Sequence, residues 1–256
     1  MAKFKFVEIS KNKKIRYLFN SSSFDIYVVF LHGFKSDLED EKPKALYRFC
    51  KKNNIGFLAL EYSGHGKSYG KFEEGTISSW TQDARKIIKK KLKRKKIILV
   101  GSSMGGWIGL NLFKYMNNKI LAFVGIAPAP EFLDRLMWKN FTLRVKKQII
   151  NEKFHIFNHG GFEYNISYNL IKDGRKNKVF NKNFKNKIFI TILHGKKDDV
   201  VPIYISKKIM KVFKNAKKKL IIIKNGDHSL SKKNNLKKLT KEVGLIYNSL
   251  KKNIKN

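Results

Sequence analysis

The sequence predicts an α/β fold, a mostly parallel central sheet with helices on both faces. Three observations carry that expectation. Continuous apolar runs recur along the chain at Ile26–Leu31, Ile55–Leu60, Ile97–Val100, Ile120–Ile126 and Ile188–Leu193, and such runs mark strands buried on both faces, as in a parallel sheet. Stretches of helical spacing fall between several of them. At Gly101-Ser-Ser-Met-Gly105 a tight turn separates an apolar strand from a helical pattern that begins with Trp107, Ile108 and Leu110. With 256 residues, 42% of them hydrophobic, the chain can bury one large core, so a single domain over residues 1–256 is expected.

Taken in order, Phe4–Ile9 and Ile15–Phe19 alternate as two short strands around Ser10-Lys-Asn-Lys-Lys14, a plausible opening hairpin. Ile26–Leu31 follows as a buried strand ending in His32-Gly33-Phe34. Pro43–Asn54 is spaced as a helix through Leu46, Phe49 and Cys50, and Ile55–Leu60 is the next strand. Thr76–Leu92, with Trp80, Ala84, Ile87, Ile88 and Leu92, reads as a helix with a basic outer face. Then come the Ile97–Val100 strand, the turn at Ser103, its helix and the Ile120–Ile126 strand.

Ala127-Pro-Ala-Pro130 breaks the pattern, and the alternation of strand and helix lapses until about Lys187. Glu131–Trp138 and Leu143–Asn151 have helical spacing, His155–Asn165 reads as a loop, and Ser167–Lys172 as a short helix. Residues 128–187 are therefore expected to be a helical lid inserted over the strand ends. The regular order resumes with a strand at Ile188–Leu193, a helix at Ile203–Phe213, a strand at Leu220–Ile223 and a closing amphipathic helix at Leu236–Leu250.

The formal net charge of +37 raises the question of polyanion binding. Lys is spread along the whole chain among abundant Asn and Ile, and Arg is sparse. That distribution fits ordinary solvated positions, so no specific nucleic-acid partner is expected, only weak attraction to anionic surfaces. Cys50 stands alone, which rules out an internal disulfide and suits a reducing compartment. No stretch approaches the ~18 apolar residues of a membrane span, and the N-terminus lacks the apolar core of a secretion signal. A cytoplasmic location is the expectation, and the oligomeric state is open.

Two motif-like stretches are set aside. Gly66-Lys67-Ser68 suggests a phosphate loop, but that motif needs Gly at position 61, which is Glu61. His155 and His159 have a metal-ligand spacing without the Glu at 156 that a zinc hydrolase motif requires, and Gly160-Gly161 follows at once.

Three features fall after three strands: Ser103, the Asp198-Asp199 pair and His228. A parallel sheet gathers such loops along one edge. A serine hydroxyl is a weak nucleophile until an imidazole takes its proton, and a carboxylate must orient that imidazole. His228 is the candidate base. Asp198 is the preferred carboxylate because it leaves Val201-Pro202 to lead into the next helix, with Asp199 as the alternative. The chain order Ser, Asp, His is the order of an α/β-hydrolase sheet. For that fold the backbone N–H groups of Met104 and Phe34 are the expected oxyanion donors.

The resemblance goes further. His32-Gly-Phe-Lys-Ser-Asp37, Tyr62-Ser-Gly-His-Gly-Lys-Ser68, Trp80 with Asp83, Gly101-Ser-Ser-Met-Gly-Gly-Trp107, Tyr164-Asn-Ile-Ser-Tyr168 and Leu193-His-Gly-Lys-Lys-Asp-Asp-Val-Val-Pro202 together resemble one group of small α/β-hydrolases. It is the group that includes the mitochondrial palmitoyl-protein thioesterase also described as a mycophenolic acid acyl-glucuronide esterase. The resemblance covers most of the chain from Ile26 to Ser229 and puts Ser103, Asp198 and His228 at the triad positions. It implies a serine hydrolase acting on acyl esters or thioesters, as small molecules or acylated proteins, with an apolar acyl part. Such chemistry needs neither metal nor organic cofactor. The alternatives are a short-chain carboxylesterase, a monoacylglycerol-type lipase, or a non-catalytic basic binding protein on the same fold.

Overall fold

The computed structural model describes residues 3–159 and 162–255. In chain order the elements are β1 (Phe4–Ser10), β2 (Lys13–Asn20), β3 (Ile26–Leu31), α1 (Glu41–Lys52), β4 (Gly56–Leu60), α2 (Ile77–Leu92), β5 (Lys96–Ser102), α3 (Met104–Met116) and β6 (Ile120–Ile126). There follow α4 (Leu143–Glu152), β7 (Phe154–His159), β8 (Phe162–Ser167), α5 (Tyr168–Lys176), β9 (Phe189–Gly195), α6 (Tyr204–Val212), β10 (Lys217–Ile223) and α7 (Lys233–Lys255).

The main sheet runs β1-β2-β4-β3-β5-β6-β9-β10. β1 pairs antiparallel with β2, and β2 antiparallel with β4. From β4 onward every pairing is parallel. The sequence predicts this sheet, and the continuous apolar runs are its interior strands: all six residues of β3 are buried. Within β3 the two-residue side-chain period splits the core in two. Val28 and Phe30 join Leu46 and Cys50 of α1 and Leu239, Val243 and Ile246 of α7. Val29 and Leu31 join Trp80, Ile87 and Ile88 of α2, Trp107 and Ile108 of α3 and Ile205 and Ile209 of α6. Each such large side chain, fully removed from water, contributes about 2 kcal/mol.

Helix starts follow local chemistry. Thr76 caps α2: its hydroxyl accepts from the Ser79 N–H at 3.1 Å, while the Ser79 hydroxyl accepts from the Thr76 N–H at 2.8 Å. That satisfies two otherwise orphaned donors. Lys89, Lys90 and Lys91 occupy its last turn, where positive charge suits the helix dipole.

Residues 128–187 differ from the sequence expectation in two places. In the stretch His155–Asn165, which reads as a loop, the described residues lie in the antiparallel strands β7 and β8, with His155 opposite Ile166 and Phe157 opposite Tyr164; Gly160 and Gly161 lie outside the described residues. Alternation drives the pairing: the rings of His155 and Phe157 meet Phe141 at 6.0 and 5.5 Å, while Phe154 and Ile156 face outward. Where Glu131–Trp138 has helical spacing, the chain makes one wide π-type helical turn over Leu133–Met137 and a 3-10 turn over Trp138–Asn140. Glu131 itself has φ 60°, outside the helical region, and its buried carboxylate faces across the segment. It accepts from the N–H groups of Val179 and Phe180, both at 2.9 Å, and from Arg135 Nε at 2.8 Å. Among the described residues no helix is long and apolar enough to cross a membrane.

Candidate active site

Ser103 sits between β5 and α3 with φ 50° and ψ −117°. An L residue holds such a backbone at a cost of order 1–3 kcal/mol, so the surroundings must impose it. They do so by close approach. A Cβ at Gly101 would lie 2.6 Å from the Gly105 carbonyl oxygen, and one at Gly105 would run into the carbonyl oxygens of Leu31 and His32. Hydrogen bonds tie the turn on both sides: Ser103 N–H donates to the Ile126 carbonyl at 3.0 Å, and the Ser103 carbonyl accepts from Gly106 at 2.9 Å and Ala129 at 3.0 Å.

The three residues expected at the strand ends converge. His228 Nε2 lies 3.1 Å from Ser103 Oγ, and His228 Nδ1 lies 2.9 Å from Asp198 Oδ2. The carboxylate assigns a proton to Nδ1, which leaves Nε2 free to accept from the serine hydroxyl. Asp198 is the carboxylate brought to His228; Asp199 is exposed to solvent. The Asp198 side chain is 1% exposed. That burial pushes its pKa up, but hydrogen bonds from His194 and His228 and the Val201 N–H outweigh it and hold the carboxyl well below the usual carboxylate range.

The two loops that present Asp198 and His228 are zipped along their backbones. Lys196 N–H donates to the Ile223 carbonyl at 2.8 Å and Lys197 N–H to the Gly226 carbonyl at 2.9 Å. Lys42 of α1, 8% exposed, reaches the same place: its ammonium donates to the Ser229 carbonyl at 2.8 Å and the Ser231 hydroxyl at 2.9 Å. His194 and Lys42 are site-supporting residues that the sequence did not single out. His194 alone carried a signal, as part of the Leu193–Pro202 motif.

Met104 is the first residue of α3, so its N–H is one of the helix's orphaned donors. Phe34 follows Gly33, where a Cβ would lie 3.5 Å from Ser103 Cβ. The Phe34 ring joins an aromatic wall: Phe72 at 4.9 Å, Phe132 at 5.3 Å, Trp80 at 6.0 Å and Tyr164, stacked, at 5.6 Å. Phe132 and Tyr164 come from residues 128–187 and are only partly buried. The segment thus lays apolar surface beside the serine turn. Trp107 Nε1 donates to the Asn177 carbonyl at 2.8 Å, tying α3 to the end of α5.

The loop with Gly66-Lys67-Ser68 wraps a carboxylate of its own. Buried Glu61 accepts from Lys67 N–H at 2.8 Å and Leu38 N–H at 3.3 Å and pairs with Arg16 at 3.1 Å. The N–H groups of Lys67 and Ser68 are therefore committed within the fold, the latter to the His65 carbonyl at 3.0 Å. Beneath Phe34, His65 packs against Phe72 and Trp80, and burial lowers its pKa to about 4. Burial likewise pushes His32 well below the usual imidazole range, with neighbouring His65 adding to the effect.

The fold is that of the α/β-hydrolases. The chain belongs to the serine aminopeptidase S33 family, whose family model matches residues 23–153. It is 29% identical over 227 residues to the mitochondrial palmitoyl-protein thioesterase ABHD10 of Bos taurus, covering 87% of this chain and 73% of that protein. Against the Homo sapiens protein of the same name the identity is 28% with the same coverage. The solved structure of mouse alpha/beta hydrolase domain-containing protein 10 superposes with a TM-score of 0.87 at 25% identity, covering 97% of this chain and 100% of that one.

Proposed function

We propose that this hydrolase cleaves acyl esters or thioesters through Ser103, His228 and Asp198. One observation carries the reading: the unbroken hydrogen-bond chain from Ser103 Oγ through His228 to Asp198, 3.1 and 2.9 Å long. Ser103 Oγ attacks the acyl carbonyl carbon while His228 Nε2 takes its proton, and the carbonyl oxygen becomes an oxyanion facing the N–H groups of Met104 and Phe34. Each such donor is commonly worth about 3 kcal/mol in the transition state. The intermediate collapses, the bond to the leaving oxygen or sulfur breaks, and His228 returns the proton to it. Water, deprotonated by His228, then attacks the acyl-enzyme and releases the acid.

The acyl group is apolar in this reading, because Phe34, Phe132 and Tyr164 offer a partly exposed aromatic wall beside the serine turn. Likeness to proteins named palmitoyl-protein thioesterase supports thioesters within that class. The test is fluorophosphonate labelling together with a panel of oxygen esters and thioesters of increasing acyl length. Wild-type protein should label and turn over members of the panel, and Ser103→Ala should do neither. Undiminished turnover by Ser103→Ala would overturn the assignment.

A further inference from the structure

We propose that His194 is a positioning residue for the Asp198 carboxylate, a second imidazole on the oxygen that orients His228; this rests on the triad reading above. His194 is the last residue but one of β9 and is fully buried. Its Nε2 lies 2.8 Å from the Val201 carbonyl and 3.2 Å from Asp198 Oδ2. Two acceptors on one ring nitrogen assign a proton to it. Nδ1 then takes the hydroxyl proton of Ser206, 2.7 Å away and itself fully buried. Asp198 Oδ1 meanwhile accepts from the N–H groups of Val200 at 3.0 Å and Val201 at 2.8 Å. The carboxylate is gripped at both oxygens, and His194 is the grip on the oxygen shared with His228.

This arrangement has two consequences for a triad. The carboxylate cannot rotate away from His228, so the imidazole keeps the tautomer and direction that the serine needs. A donor on Oδ2 also spreads the carboxylate charge, which tempers its pull on the His228 proton. The ionisable groups around the pair are His194 at the end of β9, Asp198 on the segment after it, His228 and Asp227 on the loop before α7, and Lys42 of α1, which feels the charge of Asp227. From α6 the contact is the uncharged Ser206. When His194 is removed, Asp198 becomes more basic and holds the His228 imidazolium more tightly. The imidazole must be neutral to act as base, so the acid limb of activity moves to higher pH.

The experiment measures kcat/KM on p-nitrophenyl acetate from pH 5 to 9 for the full chain and for His194→Leu, His194→Gln, Ser206→Ala, Asp198→Asn and Ser103→Ala. His194→Leu should shift the acid limb upward by about half a pH unit or more and lower kcat/KM at pH 7 about tenfold. His194→Gln, whose amide can still donate to Oδ2, should restore the limb most of the way. A folded His194→Leu with a wild-type acid limb, or a Gln variant no better than Leu, would overturn the proposal. If the Leu variant does not fold, Ser206→Ala decides in its place: a smaller upward shift supports the proposal and an unmoved limb refutes it. Loss of activity in Ser103→Ala and Asp198→Asn separates this outcome from failure of the triad itself, which would leave those two active.

Discussion

Lys42 Nζ donates to the carbonyl oxygen of Ser229 at 2.8 Å, so helix α1 holds the residue that follows His228. Among the described residues, the hydrogen-bond acceptors of this buried cation are neutral, on Ser229 and Ser231. Desolvation accordingly pulls its pKa below the usual lysine range, against the opposing pull of Asp40 and Asp227. Lys42→Met should free the loop. Since a misplacement of 1 Å at a catalytic group can cost up to a hundredfold, turnover should fall about tenfold, with fluorophosphonate labelling slowed in proportion. Stopped-flow labelling rates would check this.

Asp198 and Asp199 are neighbours with opposite surroundings. Asp198→Asn should lower turnover by roughly 10⁴-fold, because the amide cannot keep the His228 proton on Nδ1. Asp199→Asn, at an exposed position, should leave turnover nearly unchanged. Steady-state kinetics on one ester settles the pair, and equal losses would contradict the contact seen at Oδ2.

Acid should weaken the fold through His65. Its folded pKa is about 4 against about 6.5 in the unfolded chain, so below pH 6.5 the unfolded state takes up a proton that the folded state refuses. Stability from this group is complete above about pH 6.5 and is lost as the pH falls toward 4. The full loss is about 3 kcal/mol, and His32 adds to it in the same direction. Urea unfolding at several pH values should show the slope, and His65→Phe should reduce it by the His65 share while the share from buried His32 remains.

Glu131 is a buried acceptor for two backbone N–H groups and for Arg135. Glu131→Ala leaves all three without their partner, and breaking a buried pair in this way costs about 3 kcal/mol. A melting-temperature drop of several degrees is expected, with ester turnover lost only as the protein unfolds.

Much of this was legible in the residues. Buried parallel strands are continuous apolar runs because both faces are covered, so β3, β4, β5, β6 and β9 stood out. The serine turn stood out because only small residues fit at 101 and 105. The β7–β8 strand pair did not, although Phe154-His-Ile-Phe157 alternates: its inward rings pack on Phe141, a contact made by tertiary folding and invisible to a local window. His194 stood inside the Leu193–Pro202 motif, but its role did not show there. A strand-end histidine gains its partners from Ser206 and Asp198, and no local pattern announces that both will turn toward it.

The roots of residues 128–187 have a consequence of their own. Glu131 grips Val179 and Phe180, Asp134 pairs with Arg175 at 2.8 Å, Asp173 accepts from the Ser78 N–H at 2.8 Å, and Trp107 holds Asn177. The ends of the excursion are thus stitched to each other and to α2 and α3 before the chain reaches α4 and the β7–β8 pair. What lies between those stitches meets the surroundings of the serine turn through Tyr164, stacked on Phe34 at 5.6 Å. The strained backbone at Ser103 is held by Ile126, Gly106 and Ala129, none of them in residues 143–167, so a substitution at Tyr164 would alter the wall that meets an acyl group while leaving the turn its own supports.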